Sequence, residues 1–459
     1  MFIKASGVLL ILLSQVPSPV QARPVVSFLS TSLRPMASEQ VDMEDLGVGV
    51  QKSVALVKGT TRFLRFTAPT TGRWLIRVAC DSRYYQTYYD IDGWGGIDFD
   101  RFRMVRMNSE LITMPVEAGS AIAIEVGGTD APCDAVVQAT PVDVVTHIAW
   151  GLTRTRFGRE TVTFGLNAYN EAGDLQVRSL SANPGAGNKA IVKSAFSPDG
   201  QLLVTVDEDG RLTGINPLTG QQLFATPTGV TGDQEIHITP AKDRIFRITP
   251  RAVVVTNLAD LQSTVVYESA TDITASAAYF AWNDICLGFA DGRMGVFDSD
   301  TFAPKHLYKD HDAPVTGLIA AEGKAYGSGS SDGLVVFYEG DGTESHRVSF
   351  SRGVQTMITG PGRWYLFAVL DNGEVVMFDP EDPDPVGTMY HTGIGNFDNL
   401  TFNRAFDGNG LFGAGPGALA EFYLNDADET IYFSFLPDIP DGTRGEVHGA
   451  AAGITSIPR

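Results

Sequence analysis

The residue types of a serine-nucleophile triad stand together in one stretch, KDHDAPVTGLIAAEGKAYGSGSSDGLVVFYE (309–339), which holds His311, Ser328 and Asp332. A nucleophilic serine favours a sharp strand-to-helix elbow, with the histidine as base and the carboxylate orienting it. Here Gly327-Ser328-Gly329-Ser330-Ser331 follows a strand and leads into an Asp332-Gly333 β-turn, with no helix. The sequence therefore assigns these residues no catalytic role. A second set is acidic: Asp90, Asp92, Asp98 and Asp100 alternate with other residues around Gly93, Gly95 and Gly96. Hard cations such as calcium take several oxygen ligands from a loop able to curl around them, and the DxDG start meets that need. The EF-hand glutamate is absent, because Arg101 follows Asp100, and the flanks are not helical. Two readings stand, a calcium site and a solvated acidic loop. Tyr88, Tyr89 and Trp94 in the same loop are candidates for recognising a partner or a carbohydrate, or for filling one end of a sandwich.

The remaining chemistry is sparse. Seven histidines are scattered without an HxxxH or CxxC pair, so structural zinc is not expected. No glycine-rich phosphate loop opens a helix. No cofactor other than calcium is expected. Cys80 and Cys133 lie at strand-like ends of the N-terminal region and are expected to form a disulfide. Cys286, within the apolar ICLGF, reads as a buried small hydrophobe.

Charge narrows the partners. A formal net charge of −20 repels phosphates, which argues against nucleic acid and anionic membranes and favours a basic protein partner. At the start, Lys4, the apolar VLLILL (Val8 to Leu13) and Val20-Gln21-Ala22 have the order of a secretory signal peptide, with cleavage before Arg23. The apolar run is too short to span a membrane, and no later one suffices. The expected location is periplasmic or secreted.

The elements that must position these residues are strands. Residues 1–22 form the signal segment and 23–45 an extended leader. From 46 to 142, short alternating runs such as Ser53 to Val57, Arg62 to Phe66, Arg73 to Cys80 and Ala121 to Val126 are separated by turn clusters. This predicts a jelly-roll-like β-sandwich. The order VALVKGTTRFLRFTAP, GRWLIRVAC, an Asp-rich insert and AIAIEVGG resembles the pre-peptidase C-terminal type of domain in exported bacterial proteins.

From 143 to 459 turn signals recur. Asp209-Gly210, Asp291-Gly292, Asp332-Gly333 and Asn372-Gly373 each precede a short apolar strand, at glycine intervals of 82, 41 and 40. Pro250-Arg251 before AVVVTN fills the gap, Asn170 to Gly173 before DLQVRSL extends the series backward, and Gly415-Pro416-Gly417 before ALAEFYL extends it forward. Seven units of about 41 residues predict a seven-bladed β-propeller. The tail 445–457 is expected to add a strand near Val145 to Trp150 and close the ring. The units resemble WD repeats, most closely where His311, Ser328, Asp332 and Tyr338 occupy the family's outer-edge His, strand, turn and terminal-aromatic positions. The FSPDG turn at Phe196 to Gly200 is a second point of likeness. The resemblance implies that these side chains brace one blade. The fold expected is thus all-β, a sandwich followed by a propeller. The function expected is non-catalytic scaffolding of a protein or of a surface polysaccharide. The alternatives are an enzyme in the axial funnel (hydrolase, lyase or degenerate quinoprotein) and carbohydrate binding by the sandwich.

Overall fold

The computed structural model describes residues 42–458 except 59, 81–84, 92–96, 106–109, 114–115, 128–131, 157–158, 170–174, 182–188, 233–234, 281–282, 321–325, 360–365, 373, 380–381, 392–398, 404–409, 416–417, 426–429 and 436–445. The stretch read as a signal peptide and most of that read as a leader lie outside the described residues, as do Asp92 and Trp94. Among the described residues the regular elements are all strands.

The N-terminal strands are β1 (Met43–Leu46), β2 (Lys52–Leu56), β3 (Thr61–Thr67), β4 (Arg73–Ala79), β5 (Tyr85–Ile91), β6 (Ile97–Val105), β7 (Glu110–Ile112), β8 (Ala121–Gly127) and β9 (Cys133–Arg156). One sheet has the order β1-β3-β8-β5-β6, and β1, drawn from the end of the stretch read as leader, runs parallel to β3. In a second sheet β2 and β4 flank the start of β9, and β7 pairs β4. Alternation in β3 and β8 sends Leu64, Phe66, Ile122, Ile124 and Val126 inward, where they meet Val54, Leu56, Trp74, Ile76, Val78 and Val137 of the other sheet in one core. Each such large apolar side chain contributes about 1.5–3 kcal/mol by leaving water. Phe66 and Trp74 meet edge to face at 4.8 Å. The disulfide Cys80–Cys133 joins the end of β4 to the start of β9, at the margin of this core.

Strand β9 runs for 24 residues and crosses the boundary read at 142/143 without a break. Its far half pairs with β10 (Arg159–Tyr169) on one edge, and β10 pairs with β11 (Leu175–Ser181). Its other edge takes β36 (Glu446–Pro458), in register from Glu446↔Thr153 to Pro458↔Val142. The chain's tail therefore pairs where the sequence placed it.

Six antiparallel four-stranded sheets come next in chain order. They are β12 (Ile191–Phe196), β13 (Leu203–Asp207), β14 (Arg211–Ile215), β15 (Gln222–Pro227); β16 (Glu235–Ile238), β17 (Arg244–Ile248), β18 (Ala252–Asn257), β19 (Ser263–Glu268); and β20 (Ile273–Tyr279), β21 (Asp284–Phe289), β22 (Met294–Asp298), β23 (Pro304–Tyr308). Then come β24 (Val315–Ala320), β25 (Tyr326–Ser330), β26 (Leu334–Tyr338), β27 (Glu344–Ser349); β28 (Val354–Thr359), β29 (Leu366–Leu370), β30 (Glu374–Asp379), β31 (Asp382–His391); and β32 (Asn399–Asn403), β33 (Gly410–Gly415), β34 (Ala418–Asn425), β35 (Thr430–Phe435). The strands announced by the periodic turns are β14, β18, β22, β26, β30 and β34, the third in each sheet. The first unit is out of phase. Its turn at 170–173 precedes β11, which is the last strand of the set β36-β9-β10-β11. First strands neighbour one another in order from β12 to β32, and β36 neighbours both β32 and β12.

The turns explain the period. Gly292 has φ +81°, and a Cβ there would lie 2.2 Å from the carbonyl oxygen of His311, so both conformation and space exclude a side chain. At the next corner Asn216, Asn257 and Asp298, spaced 41 apart, each accept the N–H two residues on through Oδ1. Each is followed by a left-handed residue, Gly220, Leu261 or Phe302. Where that residue is Phe302, its ring lies 5.4 Å from Phe297 and 5.7 Å from Tyr267, packing that offsets the backbone cost.

Replacing Cys80 and Cys133 together by serine frees a loop closed over 53 residues and is expected to lower stability by about 4 kcal/mol. Denaturant unfolding of the oxidised protein and the double variant measures it, and reduction of the parent should reproduce the loss.

Candidate functional site

The loop 309–314 between β23 and β24 carries His311 into the interior. His311 and Ser328 of β25 are both buried, with Nε2 and Oγ 2.7 Å apart. Ser328 also hydrogen-bonds the Tyr338 hydroxyl on β26, and that hydroxyl donates to Asp310 Oδ2 at 2.7 Å. The Tyr338 ring stacks on Tyr308 at 4.1 Å. Asp332 stands beside this group but bonds its own turn, accepting from Ser330 Oγ and from the Leu334 N–H at 3.3 Å. Burial pushes the His311 imidazole below its usual range, and the charges of Asp332 and Asp310 oppose that. The geometry brings His311, Ser328 and Tyr338 together and leaves Asp332 as a charge nearby. A nucleophile needs access to its substrate, and Ser328 has no exposed surface. What the group does is fasten the 309–314 loop to the second and third strands of its sheet.

A second polar centre escaped the sequence reading. Asp284 opens the otherwise apolar strand β21 and is buried. Tyr326 Oη donates to its Oδ2 at 2.6 Å from the next sheet, and Lys305 Nζ donates to its Oδ1 at 2.6 Å from β23. A buried carboxylate left unpaired would be costly, so these partners belong together. Cys286, two residues along, is buried, and burial followed by the Asp284 charge pushes its thiol well up. Burial likewise pushes the Tyr308 hydroxyl up to about 12. The one sequence signal was an acid at the start of an apolar strand, and its tyrosine and lysine partners lie too far along the chain to be matched to it.

Polar side chains also link neighbouring first strands. Lys193 on β12 pairs with Glu235 on β16 at 3.5 Å, and His237 Nε2 on β16 lies 2.9 Å from Ser276 Oγ on β20. Thr274 Oγ1 on β20 donates to Val315 O on β24 at 2.5 Å, and Thr316 Oγ1 on β24 donates to Val354 O on β28. Thr274 and Thr316 are the extra residues of β-bulges in their strands. A bulge re-aims its side chain, here toward the adjacent sheet. Burial lowers the His237 pKa; Glu235 opposes that shift and Lys193 adds to it.

On either side of residues 92–96, which lie outside the described residues, β5 and β6 pair antiparallel, with Asp90 in β5, Asp98 and Asp100 in β6, and Asp90 and Asp98 at opposed register positions. Tyr88 lies in β5 in register with Ile124 of β8. Tyr89 is half-buried, and its hydroxyl donates to Glu125 Oε2 at 2.6 Å. It is tied to the neighbouring strand and is not a freely presented ring. Among the described residues no group of three or more His, Cys, Asp or Glu side chains could hold a metal ion. A comparison with protein-family models gives no match, and a comparison with curated proteins gives none.

His311→Ala removes one partner of a buried hydrogen bond and is expected to cost about 1–3 kcal/mol in denaturant unfolding. The buried histidines also set a pH dependence. Burial lowers the His147 pKa from 6.5 to about 4. His147 is neutral in the folded chain, so its contribution is complete above pH 6.5 and is lost as pH falls toward 4. The loss amounts to about 3 kcal/mol, and His237 and His311 add to it in the same direction. Unfolding measured between pH 7 and 4 should show this fall, with a shallower fall for His147→Gln.

Proposed function

We propose that this chain is an exported binding protein, built as a β-sandwich followed by a seven-bladed β-propeller, that scaffolds a partner without catalysing a reaction. The sandwich reading draws support from two sheets that share one core. The propeller reading draws support from the cycle of neighbouring first strands, β12 to β32 and then β36 back to β12. In that arrangement the first strands line the axis. Export is supported by the signal-like segment and by a disulfide, which suits an oxidising compartment.

One observation carries the non-catalytic reading. Among the described residues, four first-strand side chains with catalytic potential, Lys193, Glu235, His237 and Ser276, are engaged with one another between adjacent sheets. A ligand on the axis would have to break these ties before it could use them. Rigid sheets presenting many loops suit recognition instead. The net charge of −20 favours a basic protein surface over nucleic acid, and a surface polysaccharide is the other partner considered.

Cross-linking and co-purification of the mature chain from its own compartment tests the proposal. The expected result is a stoichiometric partner released by raised salt. Recovery of the chain alone, together with turnover of a small-molecule substrate lost in His237→Gln, would overturn it. Deleting residues 446–459, which removes β36, is expected to abolish partner capture and to lower the melting temperature in the same preparation.

A further inference from the structure

The borders between adjacent sheets are not fastened alike. The β20–β23 and β24–β27 sheets are joined by Thr274 to Val315 O and by Tyr326 to Asp284. The β24–β27 and β28–β31 sheets are joined by Thr316 to Val354 O. The β16–β19 sheet has one such tie, His237 to Ser276 of β20, and adds ion pairs on both borders. Lys242, in its first turn, pairs with Asp199 of the preceding sheet's turn, and Glu235 pairs with Lys193 at 3.5 Å. On its other border Arg244 pairs with Asp300 at 2.7 Å and Arg251 with Asp272 at 2.7 Å. Among the described residues, every ion pair joining two of the four-stranded sheets has one member on β16–β19. The same sheet also buries a cation. Arg247 on β17 is fully buried and reaches Thr228 Oγ1 and, at 3.0 Å, Val230 O on the link that enters the sheet.

We propose that the β16–β19 sheet is an electrostatically latched segment, which parts from β12–β15 and β20–β23 when its border ion pairs are screened, while the sheets from β20 to β31 stay joined. Apolar contacts cross both borders, with Ile236 and Ile238 against Val204 and Leu212 on one side and Phe246 and Val253 against Ile285 and Leu287 on the other. These contacts do not weaken on adding salt, whereas exposed and half-exposed ion pairs do. Salt therefore separates the two kinds of fastening. Opening at this sheet uncovers Ile236 and Ile238, which are buried against β13 and β14.

Amide hydrogen exchange of the full chain, read by peptide at low salt and at about 1 M NaCl, where the Debye length falls to about 3 Å, tests this. Screening of the four pairs predicts that peptides from 235–268 exchange about ten-fold faster at high salt. Peptides from 315–349 should be unchanged. The triple variant Lys242→Gln/Arg244→Gln/Arg251→Gln should show most of the faster exchange already at low salt, with only the small further response of the remaining Lys193–Glu235 pair. Glu344→Gln, which breaks an ion pair within β27, should behave as the parent. A uniform salt response, or one that begins at another sheet, overturns the proposal. Selective acceleration that the triple variant fails to reproduce overturns its assignment to these pairs.

Discussion

The hydrogen-bond ladder between β36 and β9 is the constraint on which the rest depends. It joins the last described strand to residues 142–153, about three hundred residues earlier, and it gives β36 a place between β12 and β32. Without it β9 would present an open edge from Val142 to Thr153, and the first and last four-stranded sheets would lose their common neighbour. The ladder also ties the N-terminal core to the four-stranded sheets, because the strand it completes is the one that β2 and β4 use at its other end.

Beyond this ladder, similar positions are held by different chemistry. In the β24–β27 sheet a short serine on the second strand meets a histidine from the entering loop. In the β16–β19 sheet Arg247 on the second strand spans that distance alone, bonding Thr228 and Val230 on its entering loop. The glycine of the preceding sheet's turn packs against the same loop each time, Gly292 on His311 and Gly210 on Val230. The backbone contact is kept while the side chains that secure it change. This is why the period reads more clearly than the motif.

The legible parts of the fold were those in which local chemistry fixes local geometry. Asp-Gly turns require positive φ, and the apolar strands after them are buried on both faces, so β14, β22 and β26 stand out in the sequence. First strands were less legible, because they mix residues such as Lys193, His237 and Thr316 whose partners lie on other sheets. Strand β9 runs through the boundary read at 142/143, and Pro141, a residue type usually kept out of sheet interiors, sits in its ladder opposite Trp74. The His311–Ser328–Tyr338 group was found through its resemblance to a repeat. The Asp284 centre was not, because its pairing spans two sheets.

Strand β9 makes the two parts of the molecule share one register. Val142 is paired on both sides, with Arg73 of β4 and with Pro458 of β36, so no residue between the two halves is free to act as a hinge. Side chains alternate along a strand, and a single-residue insertion near Val142 would turn every downstream side chain of β9 to the opposite face. The junction can therefore change length only in pairs of residues or by forming a bulge. Sequence drift at this point is quantised, unlike the freely variable linkers that ordinarily separate domains.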